Sequence, residues 1–392
     1  MMKTMPNRKV DDGPLDRGQL TGPYKRASEW LVQSFRVNGY RGSSAWQSRF
    51  FHPIRGWSHP YPETTGYIIP TLYDYFKWLK DENGEIKTCI ETSIPWLLSL
   101  QMRSGAFPGG HAAQNGAFYL GTLDYILHRA HAPKESVFNT AQIMRGLIRC
   151  YNETGNSDCL NAVKKSGEFL SSSIREDGGW GNDAYAKDLS PSYFAYIIPA
   201  LLAAAELIND KDLKAKALLP LDNLLKRIDG ESRFIRDMGF SDNGFAHMHT
   251  VGYTLQGLLE SAIILKDEGG RYISEAAGVA DKLLAKYEEW GKLPGGLYNG
   301  WRPEWSYSCI TGNCQIALFF LELFKVNKEV RYLDAAQSIY SDMLTAQSRN
   351  NAFPGSRPVW GRYMCLRWPN WAVKFFMDLS FGLYNALRDK QG

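Results

Sequence analysis

The chain has no long apolar run, no cluster of basic residues and no Pro/Ser-rich linker. Nowhere does an uncharged apolar stretch reach about 18 residues, the length a helix needs to cross a bilayer. No transmembrane segment is therefore expected. The first residues, MMKTMPNRKVDDGPLDRGQL, lack the apolar core of a secretory signal, which predicts a soluble, cytoplasmic protein. Lys and Arg total 45 against 41 Asp and Glu, a formal charge of only +4. A mild, dispersed charge argues against a nucleic-acid partner and is compatible with an acidic sugar or a polyanionic glycan. Cys89, Cys150, Cys159, Cys309, Cys314 and Cys365 form no disulfide framework and suit a reducing compartment. Zinc spacings of the H-E-x-x-H or C-x-x-C kind and EF-hand loops are missing, so neither a metal nor a cofactor is expected. His247 and His249 form an H-x-H pair, but no third donor is placed beside them.

Aromatic side chains, by contrast, are plentiful. The chain holds 12 Trp, 21 Tyr and 19 Phe, more than packing usually requires, and such a surplus suits the walls of a groove that stacks on sugar rings. A block of roughly 55 to 60 residues also recurs, in which an amphipathic helix is joined to an apolar one by a Gly/aromatic/Pro loop. The loops read AFPGG at 106–110, DGGWGN at 177–182, LPGGLYNGW at 293–301 and AFPGS at 352–356.

Two kinds of helix alternate. From Tyr272 to Trp290, Ala276, Val279, Leu283 and Tyr287 recur at helical spacing opposite Glu275, Lys282, Lys286 and Glu289, which predicts a half-wet outer helix. Thr250–Leu265 and Ile310–Phe324 are apolar nearly all round, as inner helices buried on both flanks must be. Inner helices are expected near 66–79, 139–152, 192–208, 249–265, 309–325 and 370–387. Outer ones are expected near 24–36, 86–101, 157–173, 211–227, 271–290 and 330–346. Six of each predict an all-α fold, an (α/α)6 toroid in which the first outer helix packs beside the last inner one and shuts the ring. The expected organisation is an N-terminal arm over 1–23 and a single toroid domain over 24–392, with 111–137 inserted near the pocket.

Each expected inner helix starts with polar or aromatic residues that core packing would not select. They include Glu63 and Tyr67, Asn139 and Gln142, Tyr193, His247 with His249 and Tyr253, Asn313 with Gln315, and Arg367 with Asn370 and Lys374. All lie at one end of their hairpins, so a closed ring would gather them around one pocket. Thr64, Ser192 and Asn370 also read simply as helix caps. His249 and Tyr253, four apart, project from one helix face. Side by side they suit abstraction of an acidic C–H beside a carboxylate, provided that Arg367 or Lys374 lowers the tyrosine pKa. Glu63, Asp177, Asp183, Asp242 and Glu304 are the carboxylates available for glycoside hydrolysis, and no spacing picks out a pair.

The hairpin count and loops resemble the six-hairpin α/α toroids that include glycosidases, uronate lyases and sugar epimerases. ETTGYIIPTL at 63–72, FNTAQIMRGL at 138–147, HMHTVGYTLQGLLE at 247–260, SCITGNCQIA at 308–317 and PNWAVKFFMD at 369–378 resemble, more closely, a family from bacterial exopolysaccharide biosynthesis clusters. That resemblance runs from about 60 to 387 and implies a toroid fold and glycan association, without assigning a reaction. Gln101, Gly105 and Phe107, with Gln347, Asn351 and Phe353, echo the structural Gln-x3-Gly-x-Trp staple of terpene cyclases. The D-x-D-D and D-D-x-x-D motifs of terpene cyclases are missing. Lanthionine-type peptide cyclases use the same ring, but their zinc ligands have no match around Cys309 and Cys314.

The expectation that emerges is a carbohydrate-active enzyme tailoring an acidic sugar unit during exopolysaccharide assembly, by epimerase- or lyase-type proton abstraction. His249 and Tyr253 would exchange the proton, with His247 and Glu63 as further catalytic candidates. Arg367, Asn313 and Gln315 would hold the carboxylate. Trp180, Tyr193, Trp301 and Trp305 would stack on rings, and Tyr67, Asn139, Gln142, Asn370 and Lys374 would complete the binding set. The alternatives are a glycoside hydrolase using paired carboxylates and a non-catalytic glycan-binding scaffold. Nothing in the pattern specifies an oligomeric state.

Overall fold

A computed structural model describes residues 16–48, 56–121, 123–124, 127–181, 183, 185 and 189–389. Six hairpins follow one another. The outer helices are α1 (Arg17–Arg36), α3 (Glu85–Ser99), α5 (Ser157–Ser172), α7 (Lys211–Leu225), α9 (Gly270–Trp290) and α11 (Val330–Leu344). The inner helices are α2 (Pro62–Trp78), α4 (Val137–Thr154), α6 (Ile198–Ile208, preceded by a 3-10 turn over Ser192–Ile197), α8 (Met248–Ile264), α10 (Ile310–Asn327) and α12 (Asn370–Asp389). Inner helices touch in the order α2, α4, α6, α8, α10, α12, and α12 returns to α2, so the ring is closed. Outer helix α1 packs on α12 and bridges the chain's two ends.

α1 begins earlier than the residue 24 expected for the first outer helix. Asp16 and Gln19 form a reciprocal capping box, with Gln19 N donating to Asp16 Oδ1 at 2.8 Å and Asp16 N to Gln19 Oε1 at 2.9 Å. Residues 17–23, expected within an arm, are therefore helical, while residues 1–15 lie outside the described ones. Pro23 stands in the second turn and cannot donate to Gln19 O, and Tyr340 Oη donates to that carbonyl instead at 3.2 Å.

Glycine sets how closely inner helices approach. A Cβ on Gly66 would lie 2.4 Å from Ile143 Cα, and one on Gly146 would lie 2.3 Å from Gly66 O, so α2 and α4 meet backbone to backbone. The glutamines of the staple tie loops to outer helices. Gln101 Nε2 donates to Ala162 O at 2.9 Å and Gly105 O at 3.2 Å, and Gln347 Nε2 donates to Pro23 O at 3.2 Å and Asn351 O at 3.3 Å. Gln347 thus joins the last hairpin to the first helix.

Connections from inner to outer helices are short turns, whereas those from outer to inner helices are the long segments 37–61, 100–136, 173–191, 226–247, 291–309 and 345–369. All six long segments therefore crowd one face, at the N-terminal ends of the inner helices. Short antiparallel ladders brace them. Trp46–Ser48 pairs with Arg367–Pro369 across the ring seam, and Phe245–His247 pairs with Gly296–Tyr298, which pairs in turn with Arg302–Glu304.

Candidate active site

On the long-loop face the axis of the ring opens into a cavity of about 370 Å³. Its walls are aromatic, from Tyr61, Tyr67, Phe138, Tyr185, Tyr193, Phe240, Tyr253, Tyr363 and Trp371, and its polar groups are Glu63, Asn139, Asp183, His247, His249 and Arg362. Helix α2 supplies Glu63 and Tyr67, α8 supplies His249 and Tyr253, and the two helices stand three places apart in a ring of six. Glu63 and the histidines consequently occupy opposite sides of the axis.

His249 is buried, and its Nδ1 lies 2.6 Å from Gln315 Oε1. Gln315 Nε2 donates to Gln256 Oε1 at 3.0 Å, so its oxygen faces the imidazole and Nδ1 carries the proton. Among the described residues nothing bonds Nε2, which is left as an acceptor toward the cavity. Burial pushes the His249 pKa down to about 3, against the raising effect of Gln315, so the ring is neutral at physiological pH. His247 is arranged in the same way. Its Nδ1 meets Tyr307 Oη at 2.5 Å, and burial together with the nearby Arg362 charge lowers its pKa to about 4.

Glu63 behaves oppositely. Although it sits in the first turn of α2, where the helix field favours a carboxylate, burial raises its pKa to about 8, with the Asp183 charge adding to the rise and a hydrogen bond from Tyr61 opposing it. Glu63 is thus a protonated acid at neutral pH. Asp183, named beforehand only as one carboxylate among five, accepts from Ser136 Oγ at 2.7 Å, Phe138 N at 3.3 Å and Tyr185 N at 2.9 Å. Arg362 sits at the mouth, paired with Glu304 at 3.1 Å and stacked 4.8 Å from the Phe245 ring centre.

Of the expected residues, His247, His249, Tyr253, Glu63, Tyr67, Asn139 and Tyr193 meet at this cavity. Others do not line it. Gln315 stands behind His249 as its hydrogen-bond partner. Gln142 is buried and donates to Tyr196 O at 3.3 Å, and Asn313 bonds Ser308 Oγ at 3.1 Å. Asn370 accepts from Trp30 Nε1 at 3.2 Å and donates to Ser43 Oγ at 2.5 Å, which ties the ring seam. Ser192, expected as a cap, instead donates its hydroxyl to Arg236 O at 2.5 Å. Arg367 stacks 5.0 Å from the Trp46 ring centre, because its strand turns it toward the seam. Lys374 pairs with Asp378 at 2.6 Å and faces a second cavity at the opposite mouth of the ring. Trp180 is buried under its own loop, Trp301 donates to Ser232 O at 2.7 Å, and Trp305 stands half-exposed against Trp290.

The expected lowering of the Tyr253 pKa is overturned. Burial raises it well above its ordinary value, as do the neighbouring Tyr67 and Glu63, while Arg367 is engaged with Trp46 and Lys374 with Asp378. Tyr253 stacks on Tyr196 at 4.6 Å and lies 4.2 Å from the His249 ring, so it packs the imidazole as a neutral phenol.

Arg362, Tyr363, Met364 and Phe240 were not singled out beforehand, although all line the cavity. For Arg362, Tyr363 and Met364 the one visible signal is an arginine among aromatics, WGRYM at 360–364, inside a long loop before an inner helix. In the 111–137 insertion, His111 packs 5.0 Å from the Tyr61 ring, so the insertion buttresses one cavity wall. Residues 122, 125 and 126 within it, and Asn182 of the DGGWGN loop, lie outside the described residues. Among the described residues no group of three or more His, Cys, Asp or Glu could hold a metal, and no helix is long and apolar enough to cross a membrane.

No protein-family model and no curated protein matches the chain in sequence. Solved structures do match in fold. Cellobiose 2-epimerase from Bacillus thermoamylovorans B4167 is 13% identical, with a TM-score of 0.67 over 91% of this chain and 97% of that one. A D-mannose isomerase is 12% identical with a TM-score of 0.67 over 95% and 98% of the two chains, and an unsaturated glucuronyl hydrolase specific for heparin is 14% identical with 0.62 over 93% and 98%. At such identities the likeness is one of architecture, and that architecture is the (α/α)6 toroid.

Proposed function

We propose that the chain is a carbohydrate-active enzyme that removes a proton from a carbon beside the carboxylate of an acidic sugar, and then returns one to that carbon as an epimerase does or expels the neighbouring oxygen as a lyase does, in exopolysaccharide assembly. The observation that carries this reading is a neutral imidazole, His249, whose Nδ1 is held by Gln315 and whose Nε2 faces an aromatic cavity opposite the protonated acid Glu63. A base must be unprotonated and an acid protonated at the same pH, and burial gives both. His249 Nε2 takes the proton while the C–H electron pair moves into the carboxylate as an enolate. In epimerisation Glu63 then gives its proton to the same carbon from the opposite face, and in elimination it protonates the departing oxygen. The Arg362 guanidinium at the mouth stands where it can balance the enolate charge. Cellobiose 2-epimerase and the glucuronyl hydrolase share the fold, which supports a sugar as substrate. The test reads two products on uronate-containing oligosaccharides: solvent deuterium at the reacting carbon, which marks epimerisation, and an unsaturated uronate, which marks elimination. Wild type is expected to give one of the two products, and His249→Ala is expected to give neither; full product formation by His249→Ala would overturn the assignment.

One observation favours a second reading. Glu63 and Asp183 share the cavity closely enough for the Asp183 charge to hinder Glu63 ionisation, as an acid and a base flanking a glycosidic bond would. Hydrolysis would make Asp183→Asn as damaging as Glu63→Gln, would spare His249→Ala, and would release reducing ends without carbon-bound deuterium.

A further inference from the structure

A second cleft of about 250 Å³ opens on the same face, beside the catalytic cavity. Segment 237–247 separates the two. Phe240 and His247 line the cavity, whereas Asp237, Gly239, Ser241, Asp242, Gly244 and Phe245 line the cleft. Phe240 crowns the divide with its ring half-exposed, held edge-on by Tyr193 at 5.4 Å and lying 6.1 Å from the His247 ring. Such an aromatic edge between two concavities suits a polymer whose successive rings lie on either side of it. The cleft pairs apolar floor residues, Phe234, Met238 and Phe245, with polar groups from three separate loops, Ser190, Asp242 and Asn299. That mixture of an apolar face and convergent hydrogen-bonding groups matches a pyranose, which has apolar C–H faces and a hydroxyl rim. The floor is also braced: Arg227 donates to Ser190 O at 2.7 Å and Ser192 Oγ at 3.2 Å, while Asp237 holds a left-handed backbone at φ 60°.

We propose that this cleft is a second sugar subsite, so that the substrate is an oligosaccharide whose reacting ring occupies the cavity and whose neighbouring ring crosses Phe240 into the cleft. The inference rests on the carbohydrate reading above and adds chain length to it. Asp242 and Asn299 then bind hydroxyls of the neighbouring ring and touch no reacting atom.

Two ladders of one to four rings serve as probes, α-1,4-linked oligogalacturonates and β-1,4-linked gluco-oligosaccharides, with binding read by saturation-transfer NMR on Glu63→Gln protein and turnover read on wild type. Affinity is expected to step up at least tenfold from one ring to two in one of the ladders. Asn299→Ala and Asp242→Ala are expected to abolish that step while leaving single-ring binding unchanged. For any ladder that is turned over, they should raise KM with little change in kcat. Equal affinity for one and two rings, or variants that weaken both alike, would overturn the subsite. A two-ring step that both variants abolish, found without turnover of any sugar, would keep the subsite and overturn the catalytic reading instead.

Discussion

Two side chains of opposite chemistry reach the same condition at the candidate site, since burial removes the charge of Glu63 and His249 alike. Both are in their working states between about pH 3 and pH 8, so kcat/KM is expected to fall below the first as imidazole protonates and above the second as Glu63 ionises. A pH–rate profile lacking the alkaline limb in wild type would remove Glu63 as the acid. The same shift has a stability consequence. Because the folded pKa of Glu63 is raised from 4.5 to about 8, the folded state binds more protons than the unfolded one in that window, and Glu63 costs stability progressively as pH rises through it. The full cost is at most about 5 kcal/mol. Glu63→Gln is expected to raise Tm more at pH 9 than at pH 5 while lowering turnover about 100-fold or more, and an equal Tm change at both pH values would show that Glu63 is not a buried acid. For His249 the sign is reversed, since a lowered folded pKa takes stability away as pH drops from 6.5 toward 3. The His249–Tyr253 juxtaposition was legible from a four-residue interval on a helix. The protonation states were not, because desolvation depends on neighbours such as Phe138 and Tyr196 that come from other hairpins.

Among the elements, the glutamine staples were readable as pattern and acquired their partners only in three dimensions. Gln101 reaches Ala162 O and Ser166 Oγ on α5, so Gln101→Ala removes the amide bonds that tie its loop to that helix and is expected to cost about 1–3 kcal/mol in urea unfolding. An unchanged midpoint would mean that water replaces the amide. Gly66→Ala is expected to be more severe, at about 3 kcal/mol or more, since the added methyl meets the backbone of α4 rather than a yielding side chain. A variant as stable as wild type would show that α2 and α4 can separate. Helix positions were visible because apolar periodicity differs between a half-wet and a fully buried helix. The start of α1 was missed because its first turn is polar and Pro23 follows in the second, and its true signal is the Asp16–Gln19 capping box. Trp180, Trp301 and Trp305 show how an aromatic on a long loop escapes reading: the same residue type lines a sugar cavity or pins its own loop, and only the loop's path decides which.

For the whole molecule the seam is where distant parts of the chain are held together. Asn370 binds Trp30 and Ser43, Gln347 binds Pro23 O, and α1 lies on α12. Asn370→Ala is expected to loosen both chain ends together, with faster hydrogen exchange in α1 and in α12 and little change in α6. Exchange confined to α12 would show that the ring is held shut by other contacts. Repeat number, helix order and the crowding of long loops at one face follow from local pattern, because periodicity and loop length are written within each hairpin. Which of the loop residues share a cavity does not. Arg362 rather than Arg367, and Asp183 rather than Asp177, line it because ring closure and the path of each long loop place them there. The sequence by itself determined the repeated hairpin and the end of each hairpin at which polar and aromatic residues gather, since both are set by local periodicity and loop length. Only the tertiary structure decided which groups face one another and in what charge state, because both depend on contacts between hairpins far apart in the chain.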